Sequence, residues 1–595
     1  MEYIVRADLE IDGTRIEHYT SITLKQGFNA HHEFTIRLNH DVIEDTDSFS
    51  LSNAQNKIGK STIIKFQKMD ISNEVSYEFR GIITEVRMEQ SGRSGADLVL
   101  IGSSPTIILE NGQNLASFYK SDLAKIVQKV TKPLGSFNCN VELNNEYKKP
   151  ITYICQYRES AFQFLNRLSA EFSEFFYYDG KDLHFGKPTS TDTIDVAYGE
   201  DISNMELSLR ITPMSFSSYA YLSKDDKVEK YDSPKTVDGL DQYASHVLNE
   251  SNNLFSEPVI MPIRQRINSK SDLENFVKKQ KAAMAAELET LTGTSHNPEI
   301  RIGCILNVQI SRLDNSDFIR DDYGKFLVTS IEHFTSSNGR YYNRFEAIPS
   351  GLKVLPVCNI IMPLAEPQLA IVKDNKDPDS MGRVRVQMLW QQGNDMTDWI
   401  RVMTPDAGGG KGGAKNRGFV AVPESGDQVL VCFRYNDPDR PFVMGSMFHG
   451  KSGGGGGGGN KTKSLTALSG SIVLLDGDAI TIKDPKDNFI NIDGIGNITV
   501  KSSESIALIC GSSSITLKKD GTITIDGVKI EIKGSSEAVM KSQTAKFKAE
   551  GVKAEMSGVM SEVKGDAQTK IGGAMIEINS MGIVDIKGAM IKKNG

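Results

Sequence analysis

Over the first 355 residues, apolar and polar side chains alternate in short runs such as Tyr3–Ile11, Glu33–Leu38 and Ser76–Met88, parted by Gly, Asn and Asp. Period-two alternation predicts strands that bury one face. Two stretches switch to helical spacing. The first opens at Ser160, with Gln163 placed as in a capping box and Phe162, Leu165, Leu168 and Phe172 on one face. The second repeats that grammar at Ser271 and Glu274 and is expected to run to about Leu291.

From about residue 356 to 450 the runs shorten: Gly382–Trp390, Asp398–Met403, Gly418–Val422, Gln428–Phe433 and Pro441–Phe448. Five or six short strands in such a span predict a small barrel. Seven glycines, Gly453 to Gly459, follow. Such a run buries no side chain and marks a joint over 451–463.

Beyond the joint, residues 464–595 contain Lys but no Arg, no His, and only Phe489 and Phe547 as aromatics. Ile490, Ile498, Ile506, Ile515 and Ile523 recur at intervals of 8, 8, 9 and 8 residues. Each has an apolar partner two positions on: Ile492, Val500, Leu508, Leu517 and Ile525. Later the period tightens to seven, through Gly551, Gly558, Gly565 and Gly572, the first two followed by Val552 and Val559.

Repeats this short leave about three to five residues per strand plus a turn, too little for an isolated sheet. A single-chain solenoid needs longer coils or Asp-bearing glycine-rich nonapeptides, and neither occurs. The remaining solution is three chains forming a triangular β-prism. The five isoleucines then fill its core, and backbone groups pair with neighbouring chains. Such a needle resists load along its axis, because buckling breaks many hydrogen bonds at once.

Composition narrows the function. At 595 residues the chain is long enough for about three to five domains. A net charge of −8 gives no cationic excess for nucleic acid or anionic lipid, and residues 363 to 450 hold ten Lys or Arg against eleven Asp or Glu. No run of 18 apolar residues exists, and Met1–Leu9 reads as a strand rather than a secretory signal, so synthesis and folding in the cytoplasm are expected. Cys139, Cys155, Cys304, Cys358, Cys432 and Cys510 are scattered without a CxxC pair and read as buried, reduced thiols.

Motifs that imitate chemistry fail on context. Gly450-Lys451-Ser452-Gly453-Gly454 fits GxSxG, but polyglycine cannot start the required helix and no histidine follows His449. Asn460 stands where a phosphate loop needs glycine before Lys461. Asp377, Asp379 and Gly382 imitate a calcium loop, yet Met381 and Met388 occupy ligand positions, so a turn is expected. His31, His32 and Glu33 are adjacent, point to alternate faces, and read as surface or loop residues. No catalytic, cofactor or metal site is predicted.

One further set of residues carries a resemblance. Asp377-Pro378-Asp379-Ser380-Met381-Gly382-Arg383-Val384-Arg385-Val386-Gln387, Trp390, Trp399-Ile400-Arg401-Val402, Gly426-Asp427-Gln428-Val429-Leu430-Val431 and Asn436-Asp437-Pro438-Asp439-Arg440-Pro441 resemble the OB-fold of the VgrG family. Tyr157-Arg158-Glu159-Ser160, Phe164-Leu165-Asn166-Arg167-Leu168, Phe175-Phe176-Tyr177-Tyr178, Phe326 to His333 and Asn343 to Pro349 resemble its hub.

The resemblance implies a mainly β protein: a hub of two β-barrels with inserted helices (1–355), an OB-fold collar (356–450) and a trimeric β-helix needle (464–595). It implies a homotrimer seated on an Hcp-like hexameric tube among baseplate proteins. With the chain ending at Gly595, Gly588, Ala589, Met590 and Ile591 would meet a separate PAAR-like tip protein. The work is mechanical, carrying effector toxins through target envelopes and leaving the cell through the apparatus without a signal peptide. A spike of an extracellular phage-tail-like particle shares every domain. A glycan-degrading β-solenoid requires clustered acids, and a sugar-binding adhesin requires exposed aromatics. The needle's acids are scattered among lysines, and it has no Trp or Tyr.

Overall fold

The computed structural model describes residues 4–44, 51–69, 75–90, 96–188, 191–314, 317–356, 360–409, 416–453, 458–544, 548, 550–551 and 553–593. Met1 to Tyr3, Cys358, Gly454 to Gly457, Phe547, Val552 and Gly595 lie outside that set. The chain is mainly β and divides into two compact units, Met1–Lys463 and Ser464–Gly595.

In the first unit a 13-stranded sheet has two parts joined by the 20-residue strand Asp317–Ser336. Thr193–Tyr198, Ile202–Leu209, Glu289–Ser295, Tyr341–Pro349, Asp317–Ser336 and Ile305–Asp314 pair in that order. Ile305–Asp314 then returns to Thr193–Tyr198, closing a barrel around Leu291, Leu306, Val308, Phe326 and Phe345. From Ser330 the long strand also pairs with Ser21–Gly27. The sheet continues through Glu33–Asn39, Ala96–Ser103, Val75–Gln90, Ser61–Lys68, Val5–Ile11 and Thr14–Ile16. This second ladder stays open at the three-residue strand Thr14–Ile16, and its apolar face is covered by helices Leu123–Val130 and Ala161–Phe172. Phe34 sits on that face where a Cβ at Gly102 would come within 2.2 Å of its ring and one at Gly81 within 2.5 Å. Only glycine leaves room for the ring.

The first predicted helix forms as expected: the Ser160 hydroxyl accepts from Gln163 N, and the Gln163 carboxamide accepts from Ser160 N, each at 3.0 Å. The second, Lys270–Ala285, is capped by Ser269 rather than Ser271, because the Ser269 hydroxyl accepts from Asp272 N at 3.2 Å. It stops before the strand Glu289–Ser295, which enters the barrel. Leu123–Val130 and Gln242–Leu254 are helices that the pattern did not announce. The latter, QYASHVLNESNNL, is polar along most of its length, with Asp241 as a cap that accepts from Ala244 N at 2.9 Å.

Residues 368 to 446 form the small barrel. Gln368–Asp374 lies between Arg385–Met388 and Gln428–Phe433, and Gln428–Phe433 pairs with Pro441–Ser446. Bridges Val384 to Ile400 and Val402 to Val443 close the ring around Ala370, Val386, Val429 and Val431. Asp377 makes the predicted turn: its carboxylate accepts from Met381 N at 2.9 Å, from Arg383 N at 3.2 Å and from Arg383 Nη2 at 2.6 Å. These contacts outweigh its partial burial and hold its carboxyl well below the usual range.

In the second unit, Ile472–Asp476, Ala479–Lys483, Phe489–Ile492 and Ile498–Lys501 pair antiparallel in sequence, as do Ser505–Cys510, Ser513–Lys518 and Ile523–Asp526. Through Asp526, then, the neighbours within each sheet come from the same chain, and only the sheet edges, such as Ile498–Lys501 and Ser505–Cys510, are left for the pairing with neighbouring chains that the prism expects. The reason is in the turns. Asp484 Oδ1 accepts from Lys486 N and Asn488 N, while Oδ2 accepts from Asn488 Nδ2. Asp493 repeats the clip with Ile495 N, Asn497 N and Asn497 Nδ2. Each D-x-x-x-N turn reverses the chain by itself.

Many polar side chains are buried, and some buried polar atoms, His333 Nε2 among them, have no hydrogen-bond partner among the described residues. Cys139, Cys155 and Cys304 are buried as expected. Cys432 is only half-buried, on the outer side of its strand with Sγ 3.5 Å from Met444 Sδ, and Cys510 is exposed at the end of a strand whose sheet is uncovered. His32 is buried rather than at the surface, its Nδ1 2.9 Å from Gln26 Nε2, because its backbone N–H is drawn to Ser104 Oγ at 3.1 Å. His31 stacks on Phe162 at 3.8 Å between centroids. His333 is also buried, stacked on Phe66 at 5.2 Å, with Nδ1 2.8 Å from Tyr341 Oη. Burial pushes His32 and His333 down to about 3.

Both histidines therefore charge in the unfolded chain before they charge in the folded one. Their contribution is intact above about pH 6.5 and is lost as pH falls from there toward 3, at about 1.4 kcal/mol per pH unit for each. Urea unfolding between pH 7 and 4.5 is expected to show His333→Phe with a slope shallower than wild type by one such increment; equal slopes would contradict the assignment.

Candidate functional site

Two sequence motifs meet where the hub packs on the small barrel. The strand Ile151–Glu159 has a bulge at Arg158, a non-glycine residue with φ +51°. Arg158 faces out, 3.2 Å from Glu366, while Tyr157 and Glu159 are buried. Ser160 then starts the helix that carries Arg167, which is 1% exposed.

Arg167 is the centre of the cluster. Its Nε donates to Glu159 Oε1 at 2.8 Å and its Nη2 to Glu159 Oε2 at 3.0 Å and to Cys155 O at 2.6 Å. Nη1 donates to Glu171 Oε1 at 3.0 Å and to Asp439 Oδ2 at 3.2 Å. Asp439 comes from the small barrel, and its Oδ1 accepts from Cys155 N at 2.6 Å across 284 residues of sequence. Burial alone would weaken the guanidinium's charge, but Glu171, Asp439 and Glu159 outweigh it and keep Arg167 protonated. Burial also raises the Glu171 and Asp439 carboxyls, against the pull of Arg167.

Arg440 extends the contact. Its Nη2 donates to Ile263 O at 2.6 Å, to Gln265 O at 2.9 Å and to Arg264 O, gathering a hub loop onto the barrel. Arg266 Nη2 in turn donates to Asp398 Oδ2 at 2.6 Å. Gln368 accepts from Trp390 Nε1 at 2.9 Å and donates to Tyr157 Oη at 3.0 Å, and Gln391 Nε2 donates to Ser117 Oγ at 2.6 Å. Tyr153, Cys155, Tyr157 and Ala365 form the apolar centre, with Trp390 and Phe433 packed against it. This arrangement fixes two domains in one orientation; it positions no nucleophile against a base. Among the described residues no group of three or more His, Cys, Asp or Glu is placed to hold a metal.

The isoleucines singled out in the sequence sit elsewhere, in the second unit. Ile490 pairs with Ile482 and Val500, and Ile498 with Ile492. Ile506 pairs with Leu517, which also pairs with Ile523, and Ile515 with Leu508 and Ile525. They therefore share faces with residues the repeat did not include, Val473, Leu475, Ile480 and Ile482. In the single chain these faces are open: Ile490 is 45% and Ile498 70% exposed. Gly588, Ala589, Met590 and Ile591 are exposed and lie outside any strand. Ser452 of the GxSxG imitation lies in an exposed turn, its hydroxyl donating to His449 O at 3.1 Å.

Replacing Asp439 by Ala removes one partner of a buried charge, a loss of about 3–5 kcal/mol. Calorimetry is expected to show one transition for residues 1–463 in the wild type and two in Asp439→Ala, as the small barrel uncouples from the hub. One unshifted transition would refute this role.

The sequence matches the family described as phage tail baseplate hub (GPD) over residues 27–339, and the type VI secretion system/phage-baseplate injector OB domain over residues 368–448. The type VI secretion system spike protein VgrG1c of Pseudomonas aeruginosa is 23% identical over 366 residues, covering 56% of this chain and 48% of that protein. VgrG4b of the same organism is 43% identical over 75 residues, 12% of this chain and 8% of that protein. Among solved structures, the E. coli c3393 protein, described as a component of the type VI secretion system, aligns with 13% identity and a TM-score of 0.49 over 74% of this chain and 99% of that one. The chain spans about half the length of the first curated relatives it matches. With more than half of its residues matched by the hub family and the OB domain following in order, the chain belongs to the phage tail baseplate hub family, as a spike of the VgrG type.

Proposed function

We propose that three copies of this chain form the spike at the tip of a type VI secretion tube, and that its work is mechanical: to puncture a target envelope and carry effectors with it. One observation carries the reading. Val473, Leu475, Ile480, Ile482, Ile490, Ile492, Ile498 and Val500 lie on one face of four successive strands of a five-stranded sheet and are 40–70% exposed. The opposite face mixes Ile472, Leu474 and Phe489 with Thr481, Lys483, Asn491 and Thr499, and Asn491 Nδ2 donates to Thr481 Oγ1 at 2.8 Å. A contiguous apolar face left this exposed calls for a cover, and an identical sheet from each of two further copies supplies it with closed symmetry.

In this reading residues 1–355 serve as the hub on an Hcp-like hexameric tube amid baseplate proteins, 356–450 as a collar, 451–463 as a joint and 464–595 as the needle. Gly588, Ala589, Met590 and Ile591 meet a PAAR-like tip protein. Export proceeds through the contractile apparatus. Among the described residues no helix is long and apolar enough to cross a membrane.

Native mass measurement of the 65.5 kDa chain is the test, with a trimer near ~200 kDa expected. Burying an isoleucine is worth about 1.5–3 kcal/mol, so Ile490→Asp combined with Ile515→Asp is expected to return the protein to monomers with the hub still folded. A monomeric wild type would remove the proposed needle.

A further inference from the structure

The hub carries a groove of about 530 Å³ that the ionic junction does not use. Its floor is one face of the strand Asn114–Ser121, at Ala116 and Phe118, with Gln156 of the paired strand beside them. Ile108 and Leu109, from the turn Pro105–Glu110, form one wall, and Val130 and Pro133 form the other.

Two features define what fits. Lys129 and Lys132 are the only charged side chains among the lining residues, and both are exposed. Lys129 Nζ is held 5.2 Å from the Phe118 ring centroid, over the apolar floor. On a chain of net charge −8 this is a local cationic rim around an apolar slot. Moreover, Asn114–Ser121 pairs only with Ile151–Glu159 among the described residues, so its outer edge offers main-chain donors and acceptors to an extended segment.

We propose that this groove docks an extended apolar segment of a partner protein flanked by carboxylates. The apolar side chains fill the slot over Ala116 and Phe118, and the carboxylates pair with Lys129 and Lys132. Neither lysine belongs to the Arg167 cluster.

Fluorescence anisotropy on the full chain tests it with two dye-labelled peptides, Asp-Leu-Phe-Leu-Asp and Lys-Leu-Phe-Leu-Lys. The acidic peptide is expected to saturate and to bind about tenfold or more tightly than the basic one. Lys129→Glu with Lys132→Glu is expected to reverse that preference, and Ala116→Trp to abolish binding of both, with native mass and circular dichroism unchanged. No saturable binding, equal binding of the two peptides, or a preference untouched by the double charge reversal would overturn the proposal. So would a native mass that depends on Lys129 and Lys132, which would give the groove to a second copy of the chain. Because the native mass of the wild type is read separately, failure here leaves the spike reading standing.

Discussion

A guanidinium taken wholly out of water must be matched on every side, and the first unit is organised around meeting that demand for Arg167. Glu159 engages it bidentately, Cys155 O and Glu171 occupy two more directions, and Asp439 arrives from the other domain to complete the set. The desolvation is costly and each partner is separately necessary, so the arrangement is poor as a source of net stability and strong as a source of orientation. A displaced Asp439 leaves a buried cation under-compensated, and no alternative docking angle of the small barrel supplies a replacement. Arg440 acts in the opposite sense, donating outward to three carbonyls of one hub loop, so the contact is anchored from both sides.

The second unit answers a different constraint. Successive hairpins pair its strands into two sheets through Asp526, whose edges include Ile498–Lys501 and Ser505–Cys510, and one face remains apolar and open. Hydrogen bonding is therefore largely met within the chain except at the sheet edges, while hydrophobic burial is not. These two requirements are met together in the hub, where helices cover the open ladder, and in the small barrel, where closure hides the core.

Much of this was legible in the residues. The alternation, the capping box at Ser160, the small barrel and the repeat of isoleucines all follow from local periodicity, and the structure contains each. What escaped was what local pattern does not encode. Gln242–Leu254 is too polar to announce a helix and forms because Ala244, Val247 and Leu248 have a hub surface to pack on. His32 reads as a surface or loop residue in sequence and, like His333, is buried because aromatic neighbours from distant strands enclose it. The regular repeat begins at Ile490, since the longer turn Asp484–Asn488 breaks the spacing from Ile480. The D-x-x-x-N pair was a usable signal for those turns. The ionic junction joins two motifs that were each visible, but their meeting depends on the fold.

The turn clips have a consequence for how such a chain changes over generations. Asp484 and Asp493 settle their reversals within five residues and ask nothing of the strands on either side. Duplicating or deleting one strand with its turn reverses the direction of everything that follows, whereas doing so to two in tandem restores both direction and facing. Length is thus a heritable variable that moves in paired steps, open to unequal recombination within the repeat, with no compensating change required in the hub.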